Sequence, residues 1–532
     1  MVIPPFQLRP SLHAGIAAVA LGCSSPGAPT EAPDAGLSAD VVNPPPAIAW
    51  SGCELNSGTK GGAECAIVDV PLDYGNPSGL TMQVAVKRVV PTGTPRAHLW
   101  LVDGGPGGSV LNAFTALARK VLTLRNDIVV YGVDHRGAGG SHPLDCPKEE
   151  AASSPGGSII TDAEWGSCVS ELKTREAAYL PHLTTSNAMR DLAHLIERTR
   201  EPNVWVLVHG GSYGTYAVTR FMKLFPKQAD GIILEGIAPP GRHFDLYDTE
   251  MNAAAKKLFD ECKANTSCKT HLGADPWAAA SSLVASFDTG HCPTLNLNAD
   301  GARAFLGGYT FFRPILEYIP ILVYRMKRCE TRDVAAIVKF YKTIAGAMSF
   351  YEHGLAFNDG KRDTKALFFH VALSEMWHWD GPPDPTQVLA TWRQGTMSTG
   401  LTVGLAKRQA DWPVYARGPE VDSNLPPYDG PILMLQGALD AATPIEHAVR
   451  LRDAYRGANQ TWVEFPTGSH MIIESTPTLS GEDCGRRVMF QFLDNPKAAI
   501  DSGCANALAP VNFDGASEVN KRLLGVTDGW DG

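Results

Sequence analysis

The stretch "VWVLVHGGSYGTYAVTRFMKLFP", Val204 to Pro226, places one serine between glycines where a strand pattern meets a helix pattern. Its first residues are mostly apolar and β-branched, which is typical of a buried strand, and the residues after the glycines favour a helix. Such a junction predicts either a plain tight turn or a nucleophile, Ser212, held on a strained elbow. The surrounding elements decide between these two interpretations.

The neighbouring segments repeat the alternation of strands and helices. The stretch Thr184–Thr199 has apolar residues at helical spacing behind a Ser186/Asn187 cap. Short apolar runs that end in turn residues predict four more strands, within Leu80–Val90, Ala97–Gly105, Asn126–Ser141 and Asp230–Ala238. Strands that alternate with helices predict an α/β fold, with a mostly parallel sheet covered on both faces.

The pattern of apolar residues changes in the middle of the chain. Strand patterns stop near Pro240, helical segments follow, and strand-then-loop segments return at Gly430–Pro444 and Thr461–His470. We therefore expect one sheet that is interrupted by a helical cap and then resumed. The predicted parts are a signal peptide (1–23), a flexible linker (24–47), the first core part (48–239), the helical cap insertion (240–427), the second core part (428–505) and a C-terminal tail (506–532).

The N-terminal sequence predicts export. A short apolar run from Ala14 to Gly22 precedes Cys23, which resembles a secretory signal that ends in a bacterial lipobox with Cys23 as the lipidated residue. The alternative is an ordinary cleaved signal peptide. The Pro-, Ala- and Ser-rich stretch Ser24–Ala47 is typical of a flexible tether. A lipid on Cys23 would anchor the protein to a membrane.

Composition excludes several classes of partner. The 532 residues carry a net charge of −10 without a dense Lys/Arg run, so we expect no nucleic-acid partner. Hydrophobic residues make up 44% and charged residues 19%, as in ordinary globular proteins. No apolar run reaches the roughly 18 residues of a membrane span.

The cysteines also indicate export. Of eleven, Cys23 is set apart, and the other ten fall into neighbouring couples along the chain. Since short loops are the easiest to close, we predict five disulfides in an oxidising compartment. Free buried thiols are the alternative. No C-x-x-C spacing or Cys/His cluster suggests a metal. The predicted pairs are Cys53–Cys65, Cys146–Cys168, Cys262–Cys268, Cys292–Cys329 and Cys484–Cys504.

Three candidate catalytic residues each follow a predicted strand. Ser212 follows "VWVLVHGG", Asp440 follows "PILMLQGAL" and His470 follows "TWVEFPTGS". Reacting groups collect at the carboxyl ends of strands in open α/β sheets, and the order Ser, Asp, His is that of the α/β-hydrolase triad. A serine hydroxyl needs a base, and the base needs a group that orients it. The expected roles are nucleophile, orienting acid and general base respectively.

The oxyanion of a tetrahedral intermediate needs backbone donors. The N–H of Tyr213, one residue past the candidate nucleophile, supplies one. The loop "GGPGGS", Gly104–Ser109, follows another strand and supplies the second. We expect the N–H of Gly105, because Pro106 has none.

These residues carry a resemblance to secreted tripeptidyl aminopeptidases and the related prolyl iminopeptidases. The resemblance implies an α/β-hydrolase fold with a cap and cleavage of short peptides from a free N-terminus, without metal or cofactor. Departures at Asp103, His135, Glu235 and Leu373 bear on substrate choice. The similar segments are Cys65–Val89, Gly104–Ser109, Asp134–Ser141, Thr184–Leu192, Gly210–Tyr216, Gly437–Pro444 and Gly468–His470.

An aminopeptidase must pair the substrate ammonium with an acid, because an unpaired buried charge is costly. In the cap we expect that acid to be Glu375, in "ALSEMWHW", beside Met376, Trp377 and Trp379. Glu235 is the second candidate. Two alternatives stay open: an esterase or lipase on the same fold, which would need no such acid, and a non-catalytic surface lipoprotein.

Overall fold

A nine-stranded sheet forms the centre of the computed structural model, which describes residues 47–55, 62–102, 104–151, 153–156, 160–353, 364–378, 381–470 and 472–532. The strand order is β1-β2-β3-β5-β4-β6-β7-β8-β9. The strands are β1 Ser51–Glu54, β2 Gly62–Pro71, β3 Thr81–Val89, β4 Ala97–Val102, β5 Ile128–Val133, β6 Trp205–Gly211, β7 Gly231–Glu235, β8 Ile432–Gly437 and β9 Gln460–Phe465.

The sheet is parallel from β5 to β9 and antiparallel at its other edge. β1 pairs with β2, β2 with β3, and β3 with β5 in antiparallel register. The parallel part confirms the expectation from the strand-helix alternation. The antiparallel edge was not predicted, because hairpin strands need no intervening helix to mark them.

Helices cover both faces of the sheet. Those of the core are α1 Val110–Leu124, α2 Trp165–Arg175, α3 Thr185–Thr199, α4 Tyr213–Leu224, α15 Ile445–Ala454 and α16 Cys484–Asp494. Between β7 and β8 the described residues form the cap helices α5 Tyr247–Ala264, α6 Thr266–Leu272, α7 Pro276–Ser286, α8 Ala299–Gly307, α9 Arg313–Leu316, α10 Ile319–Arg328, α11 Thr331–His353, α12 Lys365–Glu375, α13 Pro385–Gln394 and α14 Leu401–Arg408. α17 Ser517–Leu523 lies near the end of the chain.

Alternating side chains of β4 fill two cores. Trp100 and Val102 pack into the core on the side of α3 and α4, while Leu99 and Leu101 pack into the core on the side of α1 and α16. All six residues of β4 are buried, as are all six of β5. A strand that is apolar on both faces is stable only between two layers of helices, so these strands fix the three-layer architecture.

The cap has its own hydrophobic core, and the C-terminal segment contributes to it. Phe340 of α11 is fully buried there, together with Phe513, Leu523 and Trp530 from beyond residue 505. Residues 506–532, predicted as a tail, are therefore packed along the cap. Their apolar side chains are spaced without helical or strand periodicity, which is why the sequence pattern did not show the packing.

Five disulfides join the ten cysteines of the described residues. Their pairs are the five that the sequence predicts, with Cα–Cα distances of 5.4 to 5.8 Å. The predicted lipidation site, Cys23, lies outside the described residues, as do the signal peptide and nearly all of the linker. Within the part of the chain that the structure describes, no helix is both long enough and apolar enough to cross a membrane.

Candidate active site

Ser212 occupies a strained turn between β6 and α4. Its φ of 54° and ψ of −125° lie in a region that residues with a Cβ rarely adopt. The flanking glycines allow the turn, since a Cβ on Gly210 would lie 2.5 Å from the carbonyl oxygen of Gly214. The Ser212 N–H donates to the carbonyl oxygen of Glu235, at the end of β7 (2.9 Å). This geometry favours the elbow interpretation over a plain turn.

Asp440 follows β8 and is 1% exposed. One carboxylate oxygen accepts hydrogen bonds from the backbone N–H groups of Ala442 (2.9 Å) and Thr443 (2.7 Å), and the other accepts from the Thr443 hydroxyl (2.7 Å). Burial alone would raise the pKa of Asp440, but the charge and hydrogen bonds of His470 and Thr443 outweigh it and lower that pKa. Asp440 is therefore held ionised.

His470 follows β9 and faces Asp440. Its Nδ1 lies 2.9 Å from Oδ2 and 3.0 Å from Oδ1 of that carboxylate. An Nδ1–H that donates to Asp440 leaves the Nε2 lone pair of the neutral ring to accept a proton. A Cβ on Gly236 would lie 3.1 Å from the His470 ring. The imidazole therefore lies at the carboxyl end of β7, where the Ser212 backbone is also bound.

The pKa of His470 predicts the pH below which activity is lost. Burial would lower its pKa, but the Asp440 charge and hydrogen bond raise it above the ordinary value of 6.5. A protonated His470 cannot act as a base, so activity is lost as the pH falls through this raised pKa. We expect the acid limb of kcat/KM to lie above pH 6.5, measured with a neutral substrate.

Thermal unfolding over the same pH range is the control for this pH profile. It separates loss of the base from acid unfolding of the protein. An acid limb at or below pH 6.5, with the protein still folded, would contradict the assignment of His470 as a base held by Asp440.

The glycine-rich loop lies directly against the candidate nucleophile. A Cβ on Gly104 would come within 2.7 Å of the Ser212 Cβ, so only glycine fits there. Gly105 is exposed, has a φ of 112° and precedes a cis peptide bond to Pro106. Tyr213 is the first residue of α4, and the first N–H groups of a helix have no partner within it. The glycine-rich loop and the start of α4 thus both lie next to Ser212, and the two oxyanion donors stay a prediction.

His135 contacts the glycine-rich loop through Gly107. Burial and the neighbouring Arg136 lower the His135 pKa to about 4, so the ring is neutral at pH 7. Its Nε2 accepts a long hydrogen bond from the N–H of Gly107 (3.4 Å), and its ring lies 6.0 Å from that of Tyr213. From the sequence, His135 was recognisable only as a departure from a family pattern. Asp103, the departure just before the loop, lies outside the described residues.

The structure corrects the expectation that Glu375 meets a substrate amine. Its side chain is 0% exposed, and both oxygens are occupied. One accepts from the Thr185 N–H (3.1 Å) and the Tyr415 hydroxyl (2.6 Å), and the other accepts from the Tyr216 hydroxyl (2.8 Å). The Arg220 guanidinium lies 3.6 Å away. Glu375 is thus the centre of a buried cluster that joins the cap helix α12 to α3 and α4.

Glu235, the second predicted amine partner, is also turned inward. It is 4% exposed, and its Oε1 accepts from the N–H of Ile473 (2.7 Å). Its Oε2 lies 3.2 Å from Nε2 of the buried His209. Because Ile473 follows the loop of His470, Glu235 holds that loop rather than a substrate.

Thr443 was missed by sequence reasoning. Its hydroxyl bonds Asp440 and lies 3.2 Å from Nδ1 of His470. The signal was its place three residues after Asp440, in "ALDAATP", where a threonine can close a turn around the acid. Across the described ranges, no three His, Cys, Asp or Glu side chains are grouped to hold a metal ion.

Comparisons with known proteins agree with this picture. The family model described as "TAP-like protein" matches residues 402–504, which contain Asp440 and His470. The chain is 26% identical to a tripeptidyl aminopeptidase of Streptomyces lividans, over 80% of this chain and 81% of that protein. It is 28% identical to the serine protease Hip1 of Mycobacterium tuberculosis, over 43% of this chain and 47% of that protein.

A shorter match is to a carboxylesterase B of Mycobacterium tuberculosis, at 35% identity over 21% of this chain and 23% of that protein. The mixed sheet, the serine turn at the end of β6, the Asp440–His470 pair and the matched C-terminal region lead to one assignment. This chain has the α/β-hydrolase fold, and its residues 402–504 are similar to the family described as TAP-like protein.

Proposed function

We propose that this chain is an exported serine hydrolase that releases short peptides or single residues from the free N-terminus of peptides. The observation that carries the hydrolase part is the 2.9 Å contact of His470 with Asp440, at the same sheet edge as the strained turn of Ser212. The relatives named tripeptidyl aminopeptidase favour the exopeptidase part. The five disulfides favour an oxidising compartment.

In the proposed acylation step, Ser212 Oγ attacks the scissile carbonyl carbon while its proton passes to Nε2 of His470. The Asp440 carboxylate stabilises the imidazolium that forms. The N–H groups of Tyr213 and Gly105 bind the oxyanion. When the intermediate collapses, the carbon–nitrogen bond breaks, His470 gives its proton to the leaving amine, and an acyl ester remains on Ser212.

Deacylation repeats the same chemistry with water as the nucleophile. His470 takes a proton from water, the hydroxide attacks the ester carbonyl, and the proton returns to the Ser212 oxygen as the acyl group leaves as an acid. No group beyond this chain and water is needed for the atoms and protons to balance.

A carboxylic ester hydrolase on the same fold is the second candidate. One observation favours it: both acids predicted to meet an ammonium, Glu375 and Glu235, are buried and occupied by protein donors. The match to a carboxylesterase B also favours it. The same triad mechanism hydrolyses esters and amides, so activity on substrates of both kinds has to distinguish the two candidate functions.

A substrate panel tests the proposal on enzyme recovered from the culture medium and the cell envelope. It contains fluorogenic amides of one to three residues with free N-termini, the same amides acetylated, and p-nitrophenyl esters. We expect fluorophosphonate labelling of Ser212 and a preference for free over acetylated amides of about 10-fold or more, since a site built around an ammonium rejects its neutral analogue.

Each outcome of the panel points to one function. Equal cleavage of amides with free and with acetylated N-termini would contradict the exopeptidase hypothesis. Turnover of esters with no turnover of any amide would establish the esterase instead. An intact protein that neither labels nor turns over any substrate would be a non-catalytic binding protein, and recovery only from the cytoplasm would contradict export.

A further inference from the structure

The loop that presents the candidate base is held from two sides. Residues 466–470 connect β9 to His470 without regular structure. On the core side, the N–H of Leu439 donates to the carbonyl oxygen of Gly468 (3.0 Å), next to Asp440. The other side of the loop meets residues 311–313, which belong to the cap.

Two cap residues, Phe311 and Arg313, contact this loop. The carbonyl oxygen of Phe311 accepts the N–H of His470 itself (3.1 Å). The N–H of Arg313 donates to the hydroxyl of Ser469, which is fully buried (2.9 Å). The Arg313 guanidinium donates to the Thr467 hydroxyl (2.9 Å). The cap therefore binds the loop at His470 and at two of the three residues before it.

The Arg313 guanidinium also binds the C-terminal segment. Its side chain is 3% exposed, and one terminal nitrogen donates to the carbonyl oxygens of Ala509 (2.6 Å) and Pro510 (2.8 Å). The Nε donates to Glu317 one helical turn later (3.3 Å). One planar cation thus joins the His470 loop, the cap helix α9 and the chain beyond the core, a geometry that lysine could not reproduce.

We propose that Arg313 is a positioning residue, which couples the cap and the C-terminal segment to the orientation of His470. Arg313 does not touch the reacting atoms. It fixes the loop, and the loop fixes where the imidazole meets Asp440 and Ser212. The cap is then part of what holds the catalytic base.

The coupling matters because the imidazole has little tolerance for displacement. A shift of about 1 Å in a catalytic group can cost on the order of 100-fold in rate. Irregular loops are also the parts of a fold that open most easily. On the core side, Leu439 holds the backbone of this loop and Glu235 binds the N–H of Ile473 just after it. Phe311 and Arg313 attach the loop on the cap side.

The test compares Arg313→Gln with Arg303→Gln. Arg303 is a matched control: it is 5% exposed and lies in α8 of the cap. Its hydrogen-bond and ring partners among the described residues all belong to the cap, namely Asp300, the Trp392 ring and the carbonyl oxygens of Ala299, Arg393 and Gly395. The measurements are p-nitrophenyl acetate turnover, the rate constant of fluorophosphonate labelling, the pH profile of each, and Tm.

For Arg313→Gln we expect kcat and the labelling rate to fall by about 10- to 100-fold, with KM changed by less than about 3-fold. The acid limb should move to lower pH, because the Asp440 contact that raises the His470 pKa is loosened. Arg303→Gln should lower Tm but leave the rates and the acid limb at their wild-type values. If Arg313→Gln fails to fold, Thr467→Val removes one of the same contacts at smaller cost and should show the same effects, at about 3- to 10-fold.

A folded Arg313→Gln or Thr467→Val enzyme that keeps the wild-type acid limb would overturn the proposal, whatever its Tm, because a merely structural role would not move that limb. The inference rests on the proposed triad chemistry and not on peptide specificity. Failure of the wild-type enzyme to label would defeat the proposed function. Normal wild-type labelling with unaffected variants would defeat this inference alone.

Discussion

Replacing Ser212 with alanine is expected to lower kcat by roughly 10⁴- to 10⁶-fold. In the proposed mechanism the serine oxygen forms the acyl ester, so alanine would leave the Asp440–His470 pair without the nucleophile that it activates. Alanine carries the same Cβ at φ 54°, so the strain at this position and the fold should not change. The measurements are kcat on the best fluorogenic substrate, fluorophosphonate labelling, and Tm.

Ser374→Ala is the matched control for this experiment. Ser374 is a buried serine of α12, 4% exposed, whose hydroxyl accepts the N–H of Tyr415 (3.2 Å). Its loss should reduce Tm slightly and leave turnover near the wild-type value. If Ser212→Ala kept more than about a tenth of wild-type kcat, another residue would be the nucleophile, since triad members act as a unit.

The sequence was sufficient to predict that Ser212, Asp440 and His470 lie at one edge of the sheet, because each follows its own strand. A strand end is a local pattern, and a parallel sheet brings all such ends to one edge. Ser212, Asp440 and His470 could therefore be placed together from three short stretches and their order. The disulfides were predictable for a related reason: each joins cysteines that are at most 37 positions apart.

The partners of Glu375 could not be predicted in this way. Its carboxylate binds Tyr216, which lies 159 positions earlier in the chain. The tryptophans and methionine that follow Glu375 suggested the wall of a pocket, but no local pattern shows which buried cation a buried acid will meet. The contacts of Arg313 could not be predicted for the same reason, because those with Thr467 and Ala509 span 154 and 196 positions.

Replacing Glu375 is therefore expected to affect stability more than specificity. Glu375→Ala removes the counter-charge that lies 3.6 Å from the guanidinium of Arg220, which is 3% exposed, and it removes the acceptor of the Tyr216 and Tyr415 hydroxyls. Removing one partner of a buried ion pair costs about 3–5 kcal/mol in the free energy of unfolding. Glu375→Gln keeps one acceptor oxygen and should cost about 2–3 kcal/mol.

These stability losses are measured by denaturant unfolding with the disulfides intact. Glu261→Gln is the control, because it neutralises an exposed glutamate of the cap helix α5 and should change stability by no more than about 0.5 kcal/mol. The double variant Glu375→Gln/Arg220→Met removes both charges. It should be more stable than the sum of its single variants predicts, since neither charge is left unpaired.

The preference for free over acetylated N-termini separates the two roles of Glu375. A carboxylate enclosed by Thr185, Tyr216 and Tyr415 offers no oxygen to a substrate, so Glu375→Gln should leave that preference and KM unchanged in the folded enzyme. If stability were instead unchanged, and KM rose for free-amine peptides alone, the cluster would have to open during catalysis and Glu375 would be the ammonium partner after all. Because α12 joins the cap to α4 through this carboxylate, the first outcome would make Glu375 a residue that fixes the cap to the core, and the ammonium partner would be another acid.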